Sequence, residues 1–161
     1  MFKIDENDKA ILRLLQSGNM CKPNLSLMAK KLNMSVTTLH SRIRRLERNQ
    51  VITEYQTTVD SSAIGKGLTM FVLLKVSYPI RWRSKKQVED FGEVLANLGD
   101  EVQEVHTMSG DWDYLLKIKV ADIGAYYDFC TKKILPLEGV EKAHSLTAYK
   151  TFKEKLVVNP D

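Results

Sequence analysis

The chain has 161 residues, 43% of them hydrophobic and 27% charged, which is enough to close one or two cores and excludes wholesale disorder. No apolar run reaches the roughly 18 residues of a membrane-spanning helix, and Met1-Phe2-Lys3-Ile4-Asp5 lacks a signal-peptide core, so a cytoplasmic protein is expected. Two distant cysteines, Cys21 and Cys130, with no CxxC and no histidine cluster, argue against a disulfide scaffold or a zinc site, and no cofactor is expected.

The net charge of +4 lies entirely in the first third: residues 1–60 hold ten Lys and Arg against six acids, and the remainder is balanced. Between residues 30 and 48, Lys30, Lys31, Arg42, Arg44, Arg45 and Arg48 face Glu47 alone. Such a run is ordinarily a solvated helix face, but on a small domain it is also the footprint of a nucleic-acid reader. The surrounding elements favour the second reading.

Asp5 is placed to cap a first helix, with Asp8 at its third position and Ile11, Leu12, Leu14 and Leu15 at helical spacing. Gly18 supplies a stop. Asn24 can cap a second helix carrying Leu25, Met28, Ala29 and Leu32. After the break Asn33-Met34-Ser35, Ser35 can cap a third helix running to about Arg48. This succession predicts a helix-turn-helix. At roughly 100° per residue, Leu39, Ile43 and Leu46 share the buried stripe of the third helix. Thr37, Thr38, Ser41, Arg44, Arg45 and Arg48 point the other way, and Arg42 flanks the core. Short hydroxyls let a helix approach base edges, and arginines fork onto guanine or neutralise phosphate. His40 falls on the boundary and is read as a packing or phosphate-facing side chain.

Val51 to Val59 reads as an extended, β-branched segment, and Asp60-Ser61-Ser62 with Gly65 and Gly67 punctuates the chain after it. The expected organisation is therefore a DNA-binding domain over 1–50, a β-strand linker over 51–67 and a second domain over 68–161. In that second domain, Leu68 to Tyr78 predicts a strand and 85–98 a helix with Val88, Phe91, Val94, Leu95 and Leu98 on one side. Strands are expected from Val102 and again from Trp112 to Val120, separated by Ser109-Gly110-Asp111. A helix capped by Asp122 holds Ile123, Tyr126, Tyr127, Cys130 and Ile134, then Val140 to Tyr149 forms a fourth strand, with a fifth over Thr151 to Val158. The order βαββαβ gives an α+β, ferredoxin-like sheet with both helices on one face. Self-association is the natural cover for its other face, and a dimer suits two recognition helices reading a palindrome.

Three stretches, Asp5 to Leu15, Met34 to Arg48 with Val51-Ile52, and Ser109 to Leu116, resemble the leucine-responsive and asparagine-synthesis regulator (Lrp/AsnC, feast/famine) family over about residues 3–155. The resemblance implies a transcription regulator with a plain or winged helix-turn-helix, a linker strand paired across a dimer, dimers that often build octameric rings, and an amino-acid-sensing domain. Carried onto this chain, it makes Ser35, Thr37, Thr38, Ser41, Arg42, Arg44, Arg45 and Arg48 the DNA-contacting candidates. It also places a small effector near Ser109, Gly110, Asp111, Trp112 and Asp113. There hydroxyl and backbone donors suit a carboxylate, and Asp111 or Asp113 suits an ammonium. The alternative is that Gly-Asp merely shapes the turn.

Departures from the family pattern are Trp112 for a smaller aromatic, Gln50 for the expected glycine after the recognition helix, and the basic stretch Lys150 to Lys155. The basic segment 79–86 is also longer than usual; it reads as a solvated loop with Trp82 stacked on an arginine, the alternative being contact with DNA wrapped on an oligomer. Two competing functions share features with this layout. One is a ligand-independent architectural DNA binder. The other is a siroheme-decarboxylase-like enzyme, for which only the isolated His106 and His144 lie near the turn.

Overall fold

The computed structural model describes residues 4–16, 24–55, 57–77, 85–155 and 160, with the side chains of 85–88 left out. The chain divides into two compact units, Met1–Thr58 with Lys153–Asp161, and Val59–Phe152.

The first unit holds α1 (Glu6–Leu15), α2 (Leu25–Lys31) and α3 (Val36–Arg48). Each begins on a side-chain cap that satisfies an otherwise orphaned amide. Asp5 accepts from the Asp8 N–H, Asn24 from Leu27 and Ser35 from Thr38. At α1 the arrangement is reciprocal, because Asp8 in turn accepts from the Asp5 N–H. Asn33, at φ 50°, makes the sharp turn between α2 and α3. Beyond α3 it is Gln50, at φ 55°, that takes the left-handed position where glycine is cheapest. Val51 N–H then returns to the Leu46 carbonyl at 2.9 Å. Ile11, Leu12, Met28, Ala29, Leu39, Ile43 and Leu46 form the core, with Val51 and Ile52 packed against it. Over its described residues, the segment expected as a linker strand, whose pairing the resemblance places across a dimer, is not paired as a strand within the single chain. Gly18 and Cys21 lie outside the described residues.

The second unit holds β1 (Leu68–Val76), α4 (Lys85–Ala96), β2 (Val102–Thr107), β3 (Tyr114–Val120), α5 (Ile123–Phe129) and β4 (Val140–Ala148). After α5 the chain widens into a π-type turn, Cys130–Ile134. The strands form one antiparallel sheet in the order β2-β3-β1-β4. Register sets which side chains face the helices: Val72 lies opposite Leu116 and Leu74 opposite Tyr114, so alternate residues of both strands share the buried face. Met70, Val72, Leu74, Val76, Tyr114, Leu116, Ile118 and Val120 pack there with Leu95, Tyr126, Phe129 and Ile134, joined by Phe91, Leu98 and Cys130. Both helices therefore cover one face, as the βαββαβ order predicts.

Three expectations need correcting. Val94 is 47% exposed, because the inward line of α4 runs Phe91, Leu95, Leu98 at i, i+4, i+7 and leaves its neighbour outside. Thr151 to Lys155 is not a strand, although it follows β4; Tyr149 and Phe152 are exposed there, so the segment offers no alternating buried set to pay for pairing. The rest of that expected strand lies outside the described residues. The third strand starts at Tyr114 rather than Trp112, because Asp113 closes the turn instead. Tyr78, the segment 79–84 and Trp82 lie outside the described residues.

Candidate DNA-reading helix and effector turn

The third helix presents two unlike faces because its sequence period is helical. Leu39, Ile43 and Leu46 are buried, while Thr37, Thr38, His40, Ser41, Arg44 and Arg48 are exposed. The Ser35 hydroxyl is engaged as a cap, 3.0 Å from the Thr38 N–H and 2.7 Å from the Thr38 hydroxyl. The Ser41 hydroxyl donates to the Thr38 carbonyl. Among the described residues, the hydrogen bonds of Arg44 and Arg48 stay within α3: Arg44 Nε reaches His40 Nε2 at 3.4 Å, and Arg48 Nε reaches the Arg44 carbonyl at 3.3 Å. Both guanidinium groups thus stand at the surface, where they meet an approaching anion without first leaving a partner on another element.

Arg42 and Arg45 are placed differently. Arg42 Nη1 donates to Asp5 Oδ1 and Oδ2 at 2.9 and 2.8 Å and to Asp8 Oδ1 at 2.9 Å. Arg45 Nη2 donates to Asp8 Oδ2. The Asp8 side chain is fully buried, so its charge is compensated by the two arginines and the capping amide rather than by water. The hydrogen bond from Arg42 holds the Asp5 carboxyl below its ordinary range, helped by the Asp8 N–H, and Asp5 raises Arg42 in return. Folding therefore favours ionised Asp5. The stability it adds is present above the unfolded carboxylate range near about pH 4 and is lost as pH falls through the lower folded value. The thermal midpoint of the helical unit is expected to drop on acidification below about pH 4. A midpoint that stays level through that window would count against the pairing.

Beside α3, Leu25, Ile43, His40, Arg44, Glu47, Arg48 and Tyr55 line an open cleft of about 570 Å³. Tyr55 donates its hydroxyl to Glu47 Oε1 at 3.0 Å, and burial followed by that carboxylate pushes the phenol up to about 12. Glu47, the single acid in the basic run, is thereby directed toward Tyr55 rather than toward the exposed hydroxyls. Asp5, Asp8, Glu47 and Tyr55 are the residues of this site that sequence reasoning did not assign to it.

In the second unit, Ser109 to Asp113 forms the turn from β2 to β3. Gly110, at φ 105°, takes a conformation that other residues rarely adopt. Asp113 is engaged through one oxygen: Oδ2 accepts from the Val76 N–H at 2.8 Å and lies 3.5 Å from Lys75 Nζ, while its backbone bonds Met108 and Leu74. Ser109 and Asp111 are exposed. Trp112 stacks on His144 with centroids 5.9 Å apart. His144 lies opposite Leu73, and His106 opposite Leu115, both on the sheet face that the helices leave open. His106 contacts Glu104 at 3.3 Å. No cluster of three or more potential metal ligands occurs among the described residues, and none of their helices is long and apolar enough to cross a membrane.

A helix-turn-helix unit followed by a four-stranded α+β unit defines a two-domain DNA-binding regulator. Residues 4–53 match the winged helix-turn-helix DNA-binding family, and residues 69–158 match the Lrp/AsnC ligand binding domain. The leucine-responsive regulatory protein of Klebsiella pneumoniae is 32% identical over 94% of this chain and 88% of its own. An AsnC family transcriptional regulator from Agrobacterium tumefaciens superposes with a TM-score of 0.83 at 32% identity, covering 96% of this chain and 95% of that one. A transcriptional regulator from Neisseria meningitidis, solved as an L-methionine complex, shares the fold with a TM-score of 0.84 at 22% identity, over 97% and 96% of the two chains. The chain belongs to the Lrp/AsnC family of DNA-binding transcription regulators.

Proposed function

We propose that this regulator reads palindromic promoter sites in duplex DNA as a dimer, or as an octamer built from dimers, through Ser35, Thr37, Thr38, Ser41, Arg44 and Arg48. In this reading residues 1–50 bind DNA, 51–67 link and pair protomers, and 68–161 sense and assemble; the protein works in the cytoplasm and performs no catalysis. The observation that carries it is the exposed face of α3, where hydroxyls at the helix start are followed by two surface arginines and no acid points outward. The hydroxyl end suits base edges in the major groove, and the arginine end suits phosphate or guanine. Arg42 and Arg45 also lie on α3, but their carboxylate partners give them a different part, taken up below.

For the effector we propose a free amino acid at Ser109, Gly110, Asp111 and Trp112, by analogy with the Neisseria regulator that holds L-methionine. Asp111 is the better acid for an ammonium group, since Asp113 already serves Val76 and Lys75. Selection from a random duplex library tests the DNA reading. Enrichment of an inverted repeat with half-sites about one helical turn apart supports it. Binding with no enriched sequence would replace it with the architectural role. A thermal-shift panel of the twenty amino acids tests the effector: a ligand at 100 times its dissociation constant adds about 2.7 kcal/mol. A selective shift that Asp111→Asn abolishes supports the turn, and a shift that survives the substitution removes Asp111 from the site.

A further inference from the structure

We infer that Arg42 and Arg45, although they sit on the DNA-reading helix, do not contact DNA: with Asp5 and Asp8 they form a charge-neutral latch between α1 and α3 that sets the angle at which α3 meets the groove. This rests on the α3 reading above. Two guanidinium groups and two carboxylates cancel within a few ångströms, so this part of the basic run offers a phosphate little net attraction. The buried Asp8 makes the assignment asymmetric. An arginine that swung out to a phosphate would abandon a carboxylate that water does not reach, and the gain at the DNA would be set against an uncompensated buried charge. Arg44 and Arg48 carry no such obligation among the described residues, where their hydrogen bonds stay on their own helix.

The latch also spans the right distance to act as a positioning device. Asp5 caps α1 and Asp8 lies one turn in, so Arg42 and Arg45, one turn apart on α3, grip the start of α1 at two points. Two grips one turn apart fix a crossing angle where a single one leaves a pivot.

The salt dependence of binding separates the two roles, because each phosphate neutralised by a side chain contributes about 0.9 to the slope of log K against log salt. The full-length chain and its single variants Arg42→Gln, Arg45→Gln, Arg44→Ala and Arg48→Ala are titrated onto a random-sequence 30-base-pair duplex across a salt series. Circular dichroism confirms that each is folded at the working temperature; glutamine at 42 and 45 keeps a donor toward the carboxylates and protects folding. Arg44→Ala and Arg48→Ala are each expected to flatten the slope by about 0.9. Arg42→Gln and Arg45→Gln are expected to keep the parent slope while lowering affinity by up to about tenfold, the loss that follows when the helix tilts and one hydrogen bond lengthens. A slope flattened by about 0.9 in either glutamine variant makes that arginine a DNA contact and overturns the latch. Unchanged affinity and slope in both would reduce the pair to a purely structural role and also overturn it. Unchanged slopes for Arg44→Ala and Arg48→Ala would instead dismiss the α3 face itself, a failure distinct from the other two.

Discussion

Replacing Arg42 and Arg45 together with alanine is expected to destabilise the N-terminal unit by about 3–5 kcal/mol, because it strands the Asp8 carboxylate in the interior. Asp8→Ala alone is expected to cost less, about 1.5–3 kcal/mol, the range of hydrogen bonds to charged groups. The inequality follows from exposure. The Asp8 side chain is fully buried, whereas the Arg42 and Arg45 side chains are 22% and 40% exposed and turn to water when their partner is lost. Arg42 keeps Asp5 in addition. Trp112 belongs to the second unit, so in a Trp82→Phe background indole fluorescence follows that unit while circular dichroism at the helical band follows both. Urea titration of the double variant is expected to move an early helical transition and leave the fluorescence transition in place. If Asp8→Ala proved the costlier change, the account of Asp8 as a buried, compensated charge would be wrong.

Much of this unit was legible in the sequence, because its caps are local. Asp5, Asn24 and Ser35 act on amides three residues away, and the short helices follow from those caps with the Leu39, Ile43, Leu46 stripe. The latch was not legible in the same way. Asp8 stands in the first turn of α1, yet it shares the phase of Ile11 and Leu12, and a carboxylate on an apolar stripe signals a buried charge that needs a cation. Which cation could not be read, since Arg42 and Arg45 are more than thirty residues away and their partners depend on how α1 crosses α3. The same holds for Arg45 within α3: helical phase puts it on the outer face, but a long flexible side chain reaches back around the helix to Asp8. At the proposed effector turn, Ser109-Gly110-Asp111 is plain in the sequence, whereas which aspartate is engaged is decided by the Val76 amide arriving from another strand. The linker is a different case, because the pairing expected for it is with a second protomer. Its β-branched residues state a preference for pairing, and a preference becomes a strand only when a second backbone lies alongside.

Tyr114→Ala is expected to cost the second unit about 3–5 kcal/mol, the usual penalty for emptying a buried aromatic site. Tyr114 is wholly buried, stands opposite both Leu74 of β1 and Thr107 of β2, and meets the Phe91 ring of α4 with centroids 5.5 Å apart. One side chain thereby joins three elements, and the surrounding strands cannot collapse onto the space without breaking register. The consequence reaches function through its position. Tyr114 opens β3 immediately after Asp113, whose backbone bonds to Leu74 and Met108 hold the ends of the turn. Loosening β3 at its first residue frees those bonds, and the indole of Trp112 loses its fixed place against His144. The fluorescence transition in urea is therefore expected to move to lower concentration with the helical transition of the first unit unchanged, and any amino-acid-induced stabilisation to fade in parallel. Tyr114→Phe keeps the ring against Phe91 and is expected to recover most of the loss. A Phe variant as damaged as the Ala variant would show that the phenol oxygen, rather than the ring, anchors the strand, and would move the search for the turn's support away from the core and toward the hydrogen bonds of the β3 start.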